Sequence, residues 1–441
     1  MTTDELNKQN KLTLRKAKLE TMDPISYEEL EAVFDKWMIM PDRGILRLLV
    51  GFYLANKLPG KALWMIIIGP SGGGKTEFLN SLLVLPDIVP VSILTPNTFL
   101  SGMPGANDAS LLPKLTGKIM MMKDLTTILS MQKDARAELF SQFREIWDGS
   151  MKKIFGNGRI ASWSGKVSFI AASTQAVDLN QQQFTHLGER FLNYRLIMPD
   201  RKEVGMRSLS NESSQDIMEE ELQDAMILFF KGINFDPENI PKIPDEFKQE
   251  LVNLANFATL ARSGIIRDMG MKKEVIFVPA AEMPTRITGQ LAKLGVGIMI
   301  AFGGKLSDEN LKVIYKTALD SIPQTNKMVI LEMAKADDQS TAEIATALGY
   351  PTEPIKMYLE NLAMLKVCKR IKEGNTYQWT MLPEFSSIVR KYEHISLLTP
   401  EEIELRKIAG ENQEDDRSAS KIALDEEFPD EPPVAPAKLK F

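Results

Sequence analysis

Gly69-Pro70-Ser71-Gly72-Gly73-Gly74-Lys75-Thr76 directly follows the apolar run Leu63-Trp64-Met65-Ile66-Ile67-Ile68. The octet fits G-x-x-x-x-G-K-[ST], and the run before it reads as a buried strand, the context a phosphate-binding loop requires. Glycines let the backbone curl until successive N–H groups face the β-phosphate, and the helix starting near Lys75 adds the positive end of its dipole. Gly69, Pro70, Ser71, Gly72, Gly73 and Gly74 are thus the expected cradle, with Lys75 reaching the β/γ oxygens and Thr76 the Mg²⁺. ATP and Mg²⁺ are the expected ligands.

Outward from this loop, short apolar runs alternate with helical stretches. The expected strands are Leu63–Ile68, Val89–Leu94, Ile119–Met122 and Val167–Ala172, with Arg195–Met198 as a fifth. That alternation predicts an α/β fold with a parallel sheet between helices. Before it, Leu30, Val33, Phe34 and Trp37, then Ile45, Leu48, Leu49 and Phe52, recur at helical spacing. The expected divisions are a polar arm over 1–24, an ATPase core with its preceding helices over 25–203, and an all-α lid over 204–325. The lid holds helices at Asp245–Arg262, Thr285–Phe302 and Asp308–Ser321. Helices at Met328–Lys335, Thr341–Leu348 and Thr352–Leu365, followed by two strands about Glu373-Gly374-Asn375, predict a winged helix over 326–385. Residues 396–441 are acidic and then proline-rich, a composition that predicts a disordered tail.

Composition limits what such a chain does. At 441 residues with 44% hydrophobic and 25% charged residues, it has the balance of a globular protein with more than one core. No apolar run approaches the ~18 residues that span a bilayer, and no signal-peptide pattern opens the sequence, so no membrane partner is expected and a cytoplasmic location is. One cysteine, Cys368, and two histidines, His186 and His394, exclude disulfides and Cys/His zinc sites, leaving oxygen ligands for any metal. The net charge of −6 is uneven: nine acidic and two basic residues between Glu411 and Glu431 give −7, so the remainder sums to about +1.

Hydrolysis requires more than the loop. Asp124, ending Ile119–Met122 and Lys123, stands where a carboxylate would hold Mg²⁺ or act as general base; capping a helix near Thr126 is the plainer role. Lys123 replaces the first acid of an Asp-Glu pair, which leaves Glu145 and Asp148 as candidates for the second carboxylate. Thr174, after the strand ending at Ala172, is the expected γ-phosphate sensor, or else a strand-end turn. In Gly188-Glu189-Arg190-Phe191, Arg190 suits an arginine finger for a neighbouring subunit's nucleotide, with Arg195 the weaker alternative. Arg286 begins a helix, where its charge opposes the dipole and calls for an anionic partner, a phosphate or Glu282. In Lys152–Ile160, Asn157-Gly158 signals a two-residue hairpin carrying Lys152, Lys153, Phe155 and Arg159, cations beside an aromatic that suit a nucleic-acid strand.

Taken in order, these pieces resemble an AAA+ ATPase of the minichromosome-maintenance-like and superfamily III-like replicative helicases, particularly those of phages and mobile elements. The resemblance runs over about residues 40–385 and implies a homo-oligomeric ring, commonly a hexamer, with nucleotide between neighbours and hairpins lining a pore around single-stranded or forked DNA. It also implies that Pro284-Thr285-Arg286 is a lid sensor. Two departures stand out: Lys-Asp in place of Asp-Glu, and an N-terminus too short for a DNA-binding barrel. A helicase is therefore one expectation, and a helicase loader or regulatory switch is the other. The winged helix, with Lys356, Lys366, Lys369, Arg370 and Lys372 on its basic side, and the acidic tail are the expected contacts for DNA or a protein partner.

Overall fold

The computed structural model describes residues 13, 15, 17–102, 110–179, 190–268, 270, 273–374 and 376–397. The expected tail lies outside the described residues apart from 396 and 397, as do Gly188, Glu189 and most of the expected arm.

The sheet follows from the apolar runs. Strand β1 (Trp64–Ile68) lies between β6 (Ser168–Ser173) and β7 (Leu192–Arg195), with β3 (Ile119–Met122) and then β2 (Ile88–Pro90) beyond β6. Every pairing is parallel. Side chains alternate across such a sheet, and both faces are covered: Met65, Ile67, Met121 and Ile170 enter one apolar cluster, Trp64, Ile66, Met122 and Phe169 another. Burial on both faces explains the unbroken apolar runs.

Two strands depart from expectation by more than one residue at an end. The second strand was expected to reach Leu94 but ends at Pro90, because its pairing with β3 stops at Pro90 and Met121 and Val91 N–H makes the last bond, to Met121 O. The fifth was expected at Arg195–Met198 but spans Leu192–Arg195, since β1 ends at Ile68, whose carbonyl accepts the last ladder bond from Leu196.

Helices α1 (Tyr27–Trp37) and α2 (Gly44–Lys57) precede the sheet, and α3 (Lys75–Ser81) follows the loop. Ser26 and Glu29 form a capping box that starts α1. The short α4 (Leu112–Leu115) and α5 (Thr126–Leu129) flank β3, and α6 (Lys133–Asp148) crosses the face of the second cluster back to the other end of the sheet. Sixteen residues at ~1.5 Å each give it about 24 Å of reach. Between α6 and β6 stands the hairpin of β4 (Ser150–Ile154) and β5 (Ile160–Ser164). Its turn corrects the expected two-residue connection. Phe155 N–H bonds Arg159 O, Gly158 N–H bonds Phe155 O, and Gly158 closes the loop at φ 79°, so Gly156, Asn157 and Gly158 form a three-residue turn with a left-handed glycine.

After α7 (Ala176–Leu179) and β7 come α8 (Arg201–Asn211), α9 (Gln215–Lys231) and α10 (Asp245–Arg262), a ribbon of β8 (Ile266–Arg267) and β9 (Val275–Phe277), then α11 (Thr285–Ala301) and α12 (Asp308–Asp320). Helices α2 and α11 meet through glycines: a Cβ on Gly297 would overlap the Gly51 carbonyl oxygen, and one on Gly51 would overlap Ile298.

The last stretch runs α13 (Gln324–Met333), β10 (Gln339–Ser340), α14 (Thr341–Leu348), α15 (Thr352–Met364), β11 (Cys368–Glu373), β12 (Thr376–Met381) and α16 (Pro383–Leu397), with β12 central in a three-stranded sheet. Helix α13 begins before the expected Met328 because Pro323 sets its N-terminus. Helix α16 was not expected at all. The first apolar cluster continues through these elements to Val329, Ile344, Leu359 and Trp379. No described helix is long and apolar enough to cross a membrane.

Candidate nucleotide-binding site

The octet is rooted on both sides by strand ladders. Gly69 N–H donates to Ser173 O at 3.1 Å and Leu196 N–H to Ile68 O at 2.8 Å, so the loop emerges where β6, β1 and β7 end together. Gly74 caps α3 at φ 79°, left-handed backbone that a side chain would strain, and a Cβ there would also meet Met38 Cε. Lys75 Nζ folds back onto its own loop, donating to Gly69 O at 2.8 Å and Pro70 O at 2.5 Å. Burial pulls its pKa below the ordinary lysine value, while the Asp124 and Glu77 carboxylates oppose that shift. These placements put a movable cation and a helix N-terminus at one point.

A cavity of about 290 Å³ opens beside the loop, between Gly72–Phe78, the segment Trp37–Asp42, the stretch Leu196–Pro199 and helix α8. Its Met38, Ile39, Met40, Ile45 and Met198 walls are apolar, and Ser208, Asn211 and Gln215 supply polar edges. Such a slot suits a flat heterocycle. Sequence reading missed this wall, although the apolar Trp37-Met38-Ile39-Met40 after an amphipathic helix was its available signal.

The other expected residues divide between the two ends of the sheet. Asp124 is exposed after β3, one strand removed from β1; its Oδ1 accepts from Thr126 N–H at 2.9 Å and Thr126 Oγ1 at 2.5 Å, an Asx-type turn just ahead of α5, whose N-cap is Leu125. Its Oδ2 accepts no hydrogen bond among the described residues. Thr174 follows Ser173 beside the loop root and receives Ala176 N–H at 3.3 Å, while the buried Ser173 hydroxyl has no partner among the described residues. Thr76 opens α3. A hydroxyl and a carboxylate are hard oxygen donors that fit Mg²⁺ completed by water and phosphate. No group of three or more His, Cys, Asp or Glu that could hold a metal occurs among the described residues.

Glu145 and Asp148 do not join them. They lie at the far end of α6, where the Asp148 carbonyl accepts from Lys61, which precedes β1. Arg190 precedes β7 and is therefore at that far end too; it is 4% exposed, pairs with Asp148 at 3.1 Å and packs against the Trp147 ring. A guanidinium so enclosed is not presented to another molecule in this conformation. Arg195, its alternative, is buried in a bidentate pair with Asp178 at 2.7 and 2.8 Å and holds the fold together. Arg286 pairs with Glu282, one of its two expected partners, at 2.6 Å, and it too stands by Trp147.

On the hairpin, Lys152 is exposed, but Lys153 donates to Pro96 O, Asn97 and Glu138, and Phe155 packs on Gly102. Lys153 and Phe155 thus brace the hairpin against its own chain. Arg159 is half-buried behind the turn, and the outward strand face carries Lys152 with the exposed pair Ile154 and Ile160.

A buried charge network backs the site. Asp320 is fully buried against Lys316 at 2.6 Å and against Lys327, and it accepts Arg195 N–H; Asp42, on the cavity wall, lies 3.8 Å from Lys316 and accepts from Tyr194 Oη at 2.7 Å. Burial pushes the Asp320 carboxyl up, yet the two lysines outweigh it and hold the group below its ordinary value.

A parallel sheet with G-x-x-x-x-G-K-T after β1, an interior strand, and a cavity beside that loop define an α/β protein of the phosphate-binding-loop class. No protein-family model matches the sequence, and no curated protein does. Among solved structures, the chain is similar to the NrS-1 C-terminal region in an apo form, at 14% identity over 82% of this chain and 78% of that one, with a TM-score of 0.27. It is similar to the Aeropyrum pernix ORC2 protein, at 15% identity over 88% and 97% with a TM-score of 0.25, and to Cdc6p from Pyrobaculum aerophilum, at 11% over 85% and 98% with 0.24. Superpositions this loose transfer no role to the present chain.

Proposed function

We propose that this chain is an AAA+ ATPase that works on DNA in replication, as a helicase or translocase of a phage or mobile element. The reading rests first on one observation: the loop, Asp124 and Thr174 share the C-terminal end of the sheet, while Arg190 and Arg286 lie at the N-terminal end. No arginine from that end reaches the chain's own nucleotide. A second copy set head to tail would bring one to it, which is the logic of a closed ring. Arg286, with 35% of its side chain exposed, is the one within reach, and Arg190 becomes available on release from Asp148.

In this reading Gly69–Lys75 bind the triphosphate, Thr76 and Asp124 hold Mg²⁺, and Thr174 orients the attacking water. The metal would supply charge neutralisation at the transferring phosphate. Lys152 and the Ile154/Ile160 pair form the hairpin's contact with a DNA strand. The module from α13 to β12 is a winged helix whose exposed Lys366, Lys369 and Lys372 face DNA or protein. The loader reading draws support from Asp124: its carboxylate is turned onto Thr126 and has Lys123 beside it, leaving no second carboxylate at the loop among the residues expected to supply one.

The test is ATP turnover by the full chain with and without single-stranded DNA. Lys75→Ala should abolish turnover, Arg286→Ala should lower it at least tenfold with ATP binding retained, and Lys152→Ala should remove the DNA stimulation alone. Turnover that ignores DNA, with a silent Lys152→Ala, refutes the motor reading; strand displacement on forked DNA separates helicase from loader.

A further inference from the structure

At the N-terminal end of the sheet, cations gather with few anions to match them. The turn before β1, the end of α6 and the first turns of α11 enclose a cavity of about 510 Å³, whose lining includes Lys61, Arg286 and Lys293 with Trp147 and Gln290. Lys61 Nζ donates to Asp148 O at 2.7 Å and lies 5.5 Å from the centre of the Trp147 ring. Lys293 Nζ donates to Pro59 O at 2.9 Å and to Lys61 O, and Lys166, behind it, to the carbonyls of Asn56 and Leu58. These three lysines hold only backbone carbonyls and make no ion pair among the described residues. Glu282 is divided between Arg262 and Arg286, and Asp148 serves Arg190.

Such an excess of positive charge in a partly closed space is unfavourable until an anion enters. Burial and the nearby Lys166 pull Lys293 down to about 8. Behind the wall lie two enclosed donors that find no acceptor among the described residues. Trp147 is 6% exposed and its Nε1–H has no acceptor. Gln290 is 3% exposed; its Oε1 accepts Trp64 N–H at 3.3 Å, which fixes the amide orientation and leaves the Nε2 end unpartnered. The rest of the lining is largely apolar, with Leu58, Pro59, Ala62, Ile240 and Val296, and its charged groups are all cations, Lys61, Arg286 and Lys293, the chemistry that recognises an oxyanion.

We propose that this cavity is a second phosphate-binding site, holding a phosphate group between Lys61 and Lys293 with Arg286 at its rim and Trp147 and Gln290 behind it. The phosphate belongs to a free phosphate compound or to a nucleotide held on the loop of a second copy. The site itself does not rest on the ring reading, since it asks only for the anion.

The test uses the full chain carrying Lys75→Ala, which disables its own loop, titrated with inorganic tripolyphosphate by calorimetry. Saturable binding at one site per chain, weakened at least tenfold by adding Lys61→Gln with Lys293→Gln and largely kept by Lys61→Arg, supports the site and assigns it a free phosphate compound. If the Lys75→Ala chain binds nothing, ATP binding is measured with the loop intact in the wild type and in the Lys61→Gln/Lys293→Gln chain. A tenfold loss of affinity that appears only as chain concentration rises, reversed by mixing in the Lys75→Ala chain, supports the site with a nucleotide from the second copy. No binding in the first arm and no loss in the second overturns the proposal, as does first-arm binding that the lysine changes leave untouched. The ring reading survives that result, because its own readout is the Arg286→Ala turnover.

Discussion

Asp320→Asn is the substitution on which the buried network gives the firmest expectation. The side chain keeps its shape and loses its charge, at a position with no exposed surface, between Lys316 and Lys327. Breaking a buried pair by neutralising one partner costs about 3–5 kcal/mol, because the other charge is left uncompensated. Here two ammonium groups lose their carboxylate. Lys316 retains Asp42 at 3.8 Å and Arg195 O at 2.6 Å, and the Lys327 side chain, 12% exposed, can turn toward water, so the lower end, about 3 kcal/mol, applies. With a urea m-value of about 3 kcal/mol/M, that is a midpoint shift of about 1 M downward. The pH dependence carries the same sign. Because the folded Asp320 carboxyl is held below its unfolded value, its contribution is fully present above about pH 4 and is lost as pH falls through the folded pKa. The variant should therefore be less stable than wild type at pH 7 and approach it in strong acid. The paired change Asp320→Leu/Lys316→Met should recover most of the loss, since an apolar pair of similar volume often replaces a buried ion pair without cost. A midpoint shift under about 0.3 M, or a double variant no better than the single one, refutes the reasoning.

Gly297→Ala should destabilise by about 1–3 kcal/mol in the same urea assay, although alanine is intrinsically better in a helix by about 1 kcal/mol, because the added methyl overlaps the Gly51 carbonyl and forces α2 from α11. Sulfate, whose charge is constant over this range, should bind the far cavity more weakly as pH rises from 7 to 9, since Lys293 loses its proton at about 8; the Lys293→Ala chain should show a flatter profile by calorimetry. Without the anion, the same lowered pKa makes the folded chain gain stability as pH rises through about 8 toward the unfolded lysine value, measurable as a rising urea midpoint. Lys153→Ala should cost about 1 kcal/mol of stability through its lost bonds to Pro96, Asn97 and Glu138, yet alter DNA stimulation of turnover less than Lys152→Ala does.

How far the sequence could be read follows the range of the interactions. The loop, four of the five sheet strands and the helices at Thr341 and Thr352 are local signals: a glycine pattern, a run of branched residues, Ser340 with Glu343 in a capping box, or a proline at a helix start. The apolar run at Met38 to Met40 was visible as a run but not as a binding wall, because it becomes a cavity only when α8 folds over it, some 160 residues later. Arg190 and Arg195 show the same limit. Both are arginines flanking one short strand, and sequence alone cannot tell that Asp148 and Asp178 will enclose them. Arg286 could be read further, since opposing a helix dipole demanded an anion, and Glu282 one turn earlier was a named candidate. Strand direction is what the sequence left implicit. In a parallel sheet, a residue just after a strand and one just before a strand stand at opposite ends, however near they are in a motif diagram. Thr76, Asp124 and Thr174 follow strands; Lys61, Lys166 and Arg190 precede them. This single rule separates the loop's own residues from the cations at the other end, and it gives the chain two chemically different poles. A head-to-tail contact between copies would set one pole against the other.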